Sequence, residues 1–147
     1  MNQLAVGGQA IQDVDEIHRA QRYDVRPGYR GDPMDLRLEV SEQDGVAILA
    51  VHGEVDVSTA PRLRQQLVET ASSGQDKVVV DLDGVDFLDS TGLGVLVSGL
   101  KRFRTQGGDL LLVCNPPRIL RVFEITGLTK VFSMHGTVGE AVSAARG

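Results

Sequence analysis

The chain has no tryptophan, two tyrosines, four phenylalanines and a single cysteine in 147 residues. With aromatics at 4% against 41% hydrophobic residues, any core has to be aliphatic, and its material lies in the Val, Leu and Ile runs at 46–51, 78–82 and 110–113. A lone cysteine, Cys114, excludes an intramolecular disulfide and points to a reducing compartment. Excess positive charge is also missing. The formal net charge of −5 argues against non-specific binding to DNA or RNA, which needs clustered Lys and Arg to displace counterions from phosphates. No apolar run reaches ~18 residues, and the start MNQLAVGGQAIQDVDEIHRA lacks a basic stretch followed by a long apolar one. The reading left is a soluble cytoplasmic protein with a protein partner, no direct nucleic-acid contact and no membrane span.

The length suits one core without disulfide or metal staples. Residues 1–34 differ from the rest: Gly7, Gly8, Pro27, Gly28, Gly31 and Pro33 punctuate a polar stretch of mixed charge, read as a flexible arm. Ile11, Val14 and Ile17 recur every three residues there, the spacing of a short amphipathic helix. From residue 35 onward the pattern is that of a folded domain. Leu36, Leu38 and Val40 alternate with Arg37, Glu39 and Ser41, as in a half-buried strand, and Asp44-Gly45 predicts a hairpin turn. Val46–Val51 reads as a central strand ended by His52-Gly53.

Ser58 or Thr59 then caps a helix, with Pro61 in its first turn and Leu63, Leu67 and Ala71 on one face. Residues 77–82 form a second buried strand, and a helix follows from about Ser90 to Arg104 with a stripe of Leu93, Leu96, Leu100 and Phe103. Gly107-Gly108 closes it, and Asp109–Cys114 is a third buried strand. A helix from Pro117 to a stop at Gly127, a short strand at Val131-Phe132 and a capping box at Thr137–Glu140 complete the pattern. A hairpin followed by strand, helix, strand, helix, strand gives an α/β fold: a mixed sheet of four to five strands, antiparallel at one edge and parallel in the centre, with about four helices.

The segment richest in chemistry runs from Val78 to Leu96 and reads as a strand, an acidic loop containing Asp83, Asp86 and Asp89, and a helix start. Asp89, Ser90 and Thr91 stand where the first amides of the helix lack intrahelical partners, so any of their oxygens can cap it. Capping alone accounts for such a triplet. Gly92 and Gly94, however, each weaken the helix by about 1 kcal/mol relative to Ala. Two readings fit them: tight packing of helix on strand, or access for a partner's backbone or a nucleotide phosphate to the Ser90 hydroxyl.

Residues Phe87-Leu88-Asp89-Ser90-Thr91-Gly92-Leu93-Gly94-Val95-Leu96 and Gly53-Glu54-Val55-Asp56 resemble the STAS domain of bacterial anti-sigma factor antagonists. The resemblance covers about residues 35–145, including Gly-Gly before the strand ending in Cys114 and the Pro117 helix. It implies that Ser90 is the phosphoacceptor for a serine kinase that is also the anti-sigma factor. The unphosphorylated domain then binds that partner and frees sigma, and phosphorylation releases it. It also implies that Glu54, Asp56, Ser58, Asp86, Phe87, Asp89, Thr91, Gly92, Leu93 and Gly94 surround the site or the partner surface. A phosphate adds about −1.5 to −2 charge at neutral pH, which a helix N-terminus accommodates, while the nearby acidic residues turn it into a repulsive surface.

Other chemistries fit less well. Asp81-Leu82-Asp83-Gly84-Val85 after a Val run resembles the first motif of haloacid-dehalogenase phosphatases, but no later paired-Asp element follows to complete a Mg²⁺ site. A STAS interaction module without phosphorylation is the second alternative. Counting from Asp81, glycine falls at position 4 rather than the position 6 of a Ca²⁺ loop. Ser90 lacks a Gly-x-Ser-x-Gly frame. Gly92-Leu93-Gly94 lacks the rest of a phosphate loop and leaves only weak nucleotide binding near Ser90 as a secondary expectation. No metal or cofactor is expected, Cys114 is read as buried and inert, and His52 as solvated. Arg102, Arg104, Arg118 and Arg121 read as charged outer faces of helices.

Overall fold

Asp44 and Gly45 both adopt positive φ, 53° and 83°, and reverse the chain between two antiparallel strands, β1 (Leu36–Gln43) and β2 (Val46–Val55). Two consecutive left-handed residues match the twist of a two-residue hairpin, which is why Asp-Gly is found there. The structure, a computed structural model, describes residues 36–147. The expected arm at 1–34, with Ile11, Val14 and Ile17, lies outside the described residues.

After the hairpin come α1 (Ala60–Ser72), β3 (Lys77–Leu88), α2 (Ser90–Thr105), β4 (Asp109–Val113), α3 (Pro117–Ile125), a 3₁₀ turn (Leu128–Lys130), β5 (Ser133–His135) and α4 (Val138–Arg146). The sheet order is β1-β2-β3-β4-β5, antiparallel only between β1 and β2. The α/β class, the antiparallel edge and the parallel centre are as the sequence predicts.

The apolar runs sort into two layers. Leu49, Val51, Val78, Val80, Leu110 and Leu112 face one way and pack with Leu63 and Leu67 of α1, Leu96, Leu100 and Phe103 of α2, and Ile119 and Phe123 of α3. Val46, Ile48, Val79, Leu111 and Val113 face the other way and meet Ala141, Val142 and Ala145 of α4. Continuous apolar strands are required because both faces are covered. α4 starts as a capping box shifted by one residue: Glu140 N donates to Thr137 Oγ1 at 3.0 Å, and Glu140 Oε1 accepts from Gly136 N at 3.3 Å.

Several boundaries depart from the sequence reading. β2 continues through His52-Gly53 to Val55, and β3 runs to Leu88, so the expected acidic loop is largely strand. Two register shifts, at Ala50/His52 and Gly53/Glu54, give β3 one extra residue each. Such bulges take Asp and Gly, which makes a bulged strand look like a loop in sequence. His52 is not simply solvated: its ring lies where a Cβ on Gly84 would stand, and Nε2 is 3.5 Å from Glu39 Oε1. The final strand is displaced to Ser133–His135, because Phe132 is buried edge-on against Phe123 and Val131 closes the preceding turn. In β1 the alternation holds at buried Leu36 and fails at Val40, which is 55% exposed beside a groove lined by Gln66, Glu69 and Thr70.

Cys114 follows β4 and is buried. Burial, reinforced by the nearby carboxylates of Asp83 and then Asp81, raises its thiol from 9.0 to about 11. The folded state therefore prefers the neutral thiol: that contribution to stability is full below pH 9.0 and is lost as pH rises from there towards about 11. Native protein at neutral pH is expected to resist alkylation by iodoacetamide and to react after denaturation, with mass spectrometry counting the adducts.

Candidate functional site at two adjacent helix starts

Val55 and Leu88 are register partners at the ends of two parallel strands, and the next residue of each chain segment is an aspartate. Asp89 N donates to Val55 O at 3.2 Å, which ties the two exits together. Each aspartate then opens a helix.

Asp56 is 1% exposed. Its Oδ1 accepts from Ser58 N and Ser58 Oγ, both at 2.9 Å, and from Thr59 N at 3.2 Å. Its carbonyl takes Ala60 N at 2.7 Å. The side-chain cap expected from Ser58 or Thr59 is absent. Thr59 stands at the N-cap position of α1, but its hydroxyl turns back to donate to Glu54 O at 2.8 Å and to accept from Asp56 N at 3.0 Å. The Asp56 carboxylate meanwhile holds the Ser58 and Thr59 amides in a turn that leads into the helix.

Asp89 is the N-cap of α2, with extended backbone at φ −108° and ψ −174°. Its Oδ1 accepts from Thr91 N at 2.8 Å and Gly92 N at 3.0 Å. Among the three residues that could have capped this helix, the carboxylate does so. Ser90 becomes the first helical residue, its side chain exposed, and among the described residues its hydroxyl makes no hydrogen bond. The first turn of α2 holds no acidic residue, and the negative charge that meets its positive end is the Asp89 carboxylate at the N-cap.

The two glycines separate. A Cβ on Gly92 would collide with Leu88 Cδ1 and Val55 Cγ1, so Gly92 exists for close packing of α2 on the strand ends. Gly94 is exposed, and a Cβ there would meet nothing within 4 Å. Packing explains the first; the second leaves a bare patch one turn from Ser90. Leu93, placed by the sequence both in the buried stripe of α2 and among the residues around the site, is 8% exposed and belongs to the core.

Around this end, Glu54 is registered opposite Phe87, and Phe87 is 41% exposed. Asp86 is exposed, and its carbonyl accepts from Arg118 Nη2 at 3.2 Å. Asp83 lies further back: Oδ1 accepts from Asn115 N at 2.8 Å, and Asn115 Nδ2 lies 3.1 and 3.0 Å from its two oxygens. Asp81 Oδ1 accepts from Asp83 N at 3.0 Å. Asp83 thus braces β3 against the chain leaving β4, and Asp81 holds the Asp83 amide within β3. Asn115 was not singled out from sequence and Arg118 was read only as part of a charged helix face, since each meets its partner 32 residues away and no local spacing announces that.

The STAS domain family matches residues 37–141. The chain is 38% identical over 101 residues to the anti-sigma-B factor antagonist of Bacillus subtilis, spanning 69% of this chain and 92% of that protein. It is also 38% identical over 109 residues to the protein of the same name from Staphylococcus aureus, 74% of this chain and 99% of that one. Among solved structures, an anti-sigma factor antagonist from Mycobacterium paratuberculosis superposes with a TM-score of 0.70 at 30% identity, covering 80% of this chain and 100% of the other.

The capping arrangement makes Asp56→Ala the costlier loss. It strips three donors at a buried site, an expected destabilisation of about 3 kcal/mol, whereas Asp89→Ala is expected to lose about 1–2 kcal/mol. Urea denaturation of the two variants measures the difference. In the same assay Gly92→Ala is expected to lose about 1–3 kcal/mol through overpacking, and Gly94→Ala to gain up to about 1 kcal/mol of helix propensity.

Proposed function

Because the chain belongs to the STAS-domain family of anti-sigma factor antagonists, we propose that it binds an anti-sigma factor of the serine-kinase type and that phosphorylation of Ser90 ends the binding. The unphosphorylated chain holds the anti-sigma factor and frees sigma. One observation carries the reading: Ser90 stands exposed at the first position of α2 with no hydrogen bond from its hydroxyl among the described residues, because Asp89 has taken the capping role.

The chemistry follows from that placement. A kinase reaches an exposed hydroxyl without unfolding the helix. The phosphate then stands over the helix N-terminus, where the peptide dipoles favour negative charge. Locally the modification is tolerated. Across an interface it is not, since it adds about −1.5 to −2 charge beside Asp86 and Glu54 and enlarges a hydroxyl into a tetrahedral group. Exposed Phe87 supplies an apolar anchor on the same end, and bare Gly94 lets a partner's backbone come close to α2. This chain is a binding protein in that scheme; the catalytic machinery for phosphate transfer lies on the partner. The haloacid-dehalogenase alternative gives way to the STAS family match, and Asp81 and Asp83 serve the strand ends instead.

Ser90→Ala is expected to abolish phosphate incorporation and keep affinity for the anti-sigma factor. Ser90→Glu is expected to weaken affinity by at least about tenfold, roughly 1.4 kcal/mol, with an unchanged melting temperature. Titration calorimetry reads the affinities, and mass spectrometry after reaction with the kinase and ATP reads the site. Phosphate on another residue, or full affinity in the Glu variant, overturns the proposal.

A further inference from the structure

Among the described residues, one half of one sheet face has no helix over it. Register partners in a parallel pair direct their side chains to the same face, and neighbours along a strand alternate. Val55 and Leu88 point into the layer under α1, α2 and α3. Glu54 and Phe87 therefore point to the opposite face. α4 covers that face only around Val46, Ile48, Val79, Leu111 and Val113. Beyond them, towards the strand ends, the same face carries Glu39, Asp81, Glu54 and Phe87, with Asp83 at its rim. Arg37 and His52 stand among them, 3.7 and 3.5 Å from the Glu39 carboxylate. The uncovered half-face is thus acidic with one exposed aromatic ring.

The chain itself arrives at this place. Leu36, the first described residue, is registered opposite Gly53, one residue from Glu54. The preceding sequence at 19–30, RAQRYDVRPGYR, contains four arginines against one aspartate, and both tyrosines of the protein, Tyr23 and Tyr29. Arg30 precedes Leu36 by six residues, a reach of about 20 Å at ~3.5 Å per residue, several times the ~4.8 Å between neighbouring strands. Charge, aromatic content and point of attachment all match the half-face.

We propose that residues 19–30 of this chain dock across the acidic half-face. Guanidinium groups meet the carboxylates of Glu39, Glu54 and Asp81, and a tyrosine or arginine packs on Phe87. Each exposed ion pair is worth little, but several act together, and the short tether supplies a high effective concentration. The docked segment would border the Ser90 end of the sheet, so a partner arriving there would have to displace it or bind over it. The proposal does not depend on Ser90 being a phosphoacceptor.

The test uses the full chain with Ala20→Cys carrying a nitroxide; Cys114 is buried and keeps its thiol protonated, so the label goes to position 20. In the ¹⁵N spectrum, amides of His52–Glu54 and Asp81–Phe87 are expected to lose intensity, while Val68 and Arg102 on the far side are unaffected. The loss is expected to vanish when Arg19, Arg22, Arg26 and Arg30 are all changed to Glu, and at about 1 M salt, where the Debye length is ~3 Å. The same broadening with reversed charges overturns the proposal, as does broadening centred on Arg64 and Arg102. So does broadening that appears only between a labelled and an unlabelled copy.

Discussion

Asp56 and Asp89 stand one residue past the ends of neighbouring parallel strands; Asp89 turns Oδ1 onto the first amides of α2, and Asp56 turns Oδ1 onto the Ser58 and Thr59 amides of the turn just before α1. The remainder of this end of the molecule depends on that pair. The Asp89 amide is bonded to Val55 O, so the two helix starts cannot move independently of the sheet. At α2 the Asp89 carboxylate does the capping work that Ser90 or Thr91 could otherwise have done, through charge-assisted hydrogen bonds. The consequence is a division of labour. Thr59 is drawn inward to Glu54 O, Ser58 is held on Asp56, and Ser90 is left outside.

On the role proposed for Ser90, that division lets a covalent change there alter binding while the fold stays as it is. Nothing in the core requires the Ser90 hydroxyl, and the helix dipole favours the charge a phosphate brings. The glycines follow the same logic. Gly92 permits the contact of α2 with Val55 and Leu88, and so belongs to the scaffold; Gly94, open to solvent, belongs to the surface. Phe87 and Asp86 continue that surface on the strand side, where β3 outruns β4 and ends in the open.

Much of the architecture was legible in the sequence because strong local chemistry agrees with the final packing. Asp44-Gly45 gave the hairpin, the 3.6-residue stripe of Leu93, Leu96, Leu100 and Phe103 gave α2, and the doubly covered strands read as unbroken Val and Leu runs. What was not legible depends on distant partners or on exceptions to period. The extension of β3 past Leu82 is held by pairing with β2 through two bulges, and Asp and Gly in bulges carry the same signature as a loop. Phe132 joined the core through Phe123 rather than a sheet, and the brace between Asp83 and Asn115 joins residues far apart in sequence. At the site, the motif singled out Ser90, but only the geometry separated the cap from the free hydroxyl and the packing glycine from the exposed one.

Under the proposed function, phosphate on Ser90 changes a surface and leaves the helix start intact. Hydrogen exchange of the Thr91 and Gly92 amides, compared between unphosphorylated and fully phosphorylated chain, tests it most directly, because both amides are bonded to Asp89. The account predicts equal protection in the two forms while the anti-sigma factor binds only the first. Faster exchange at Thr91 and Gly92 in the phosphorylated chain would contradict it, since the phosphate would then be acting by opening the start of α2.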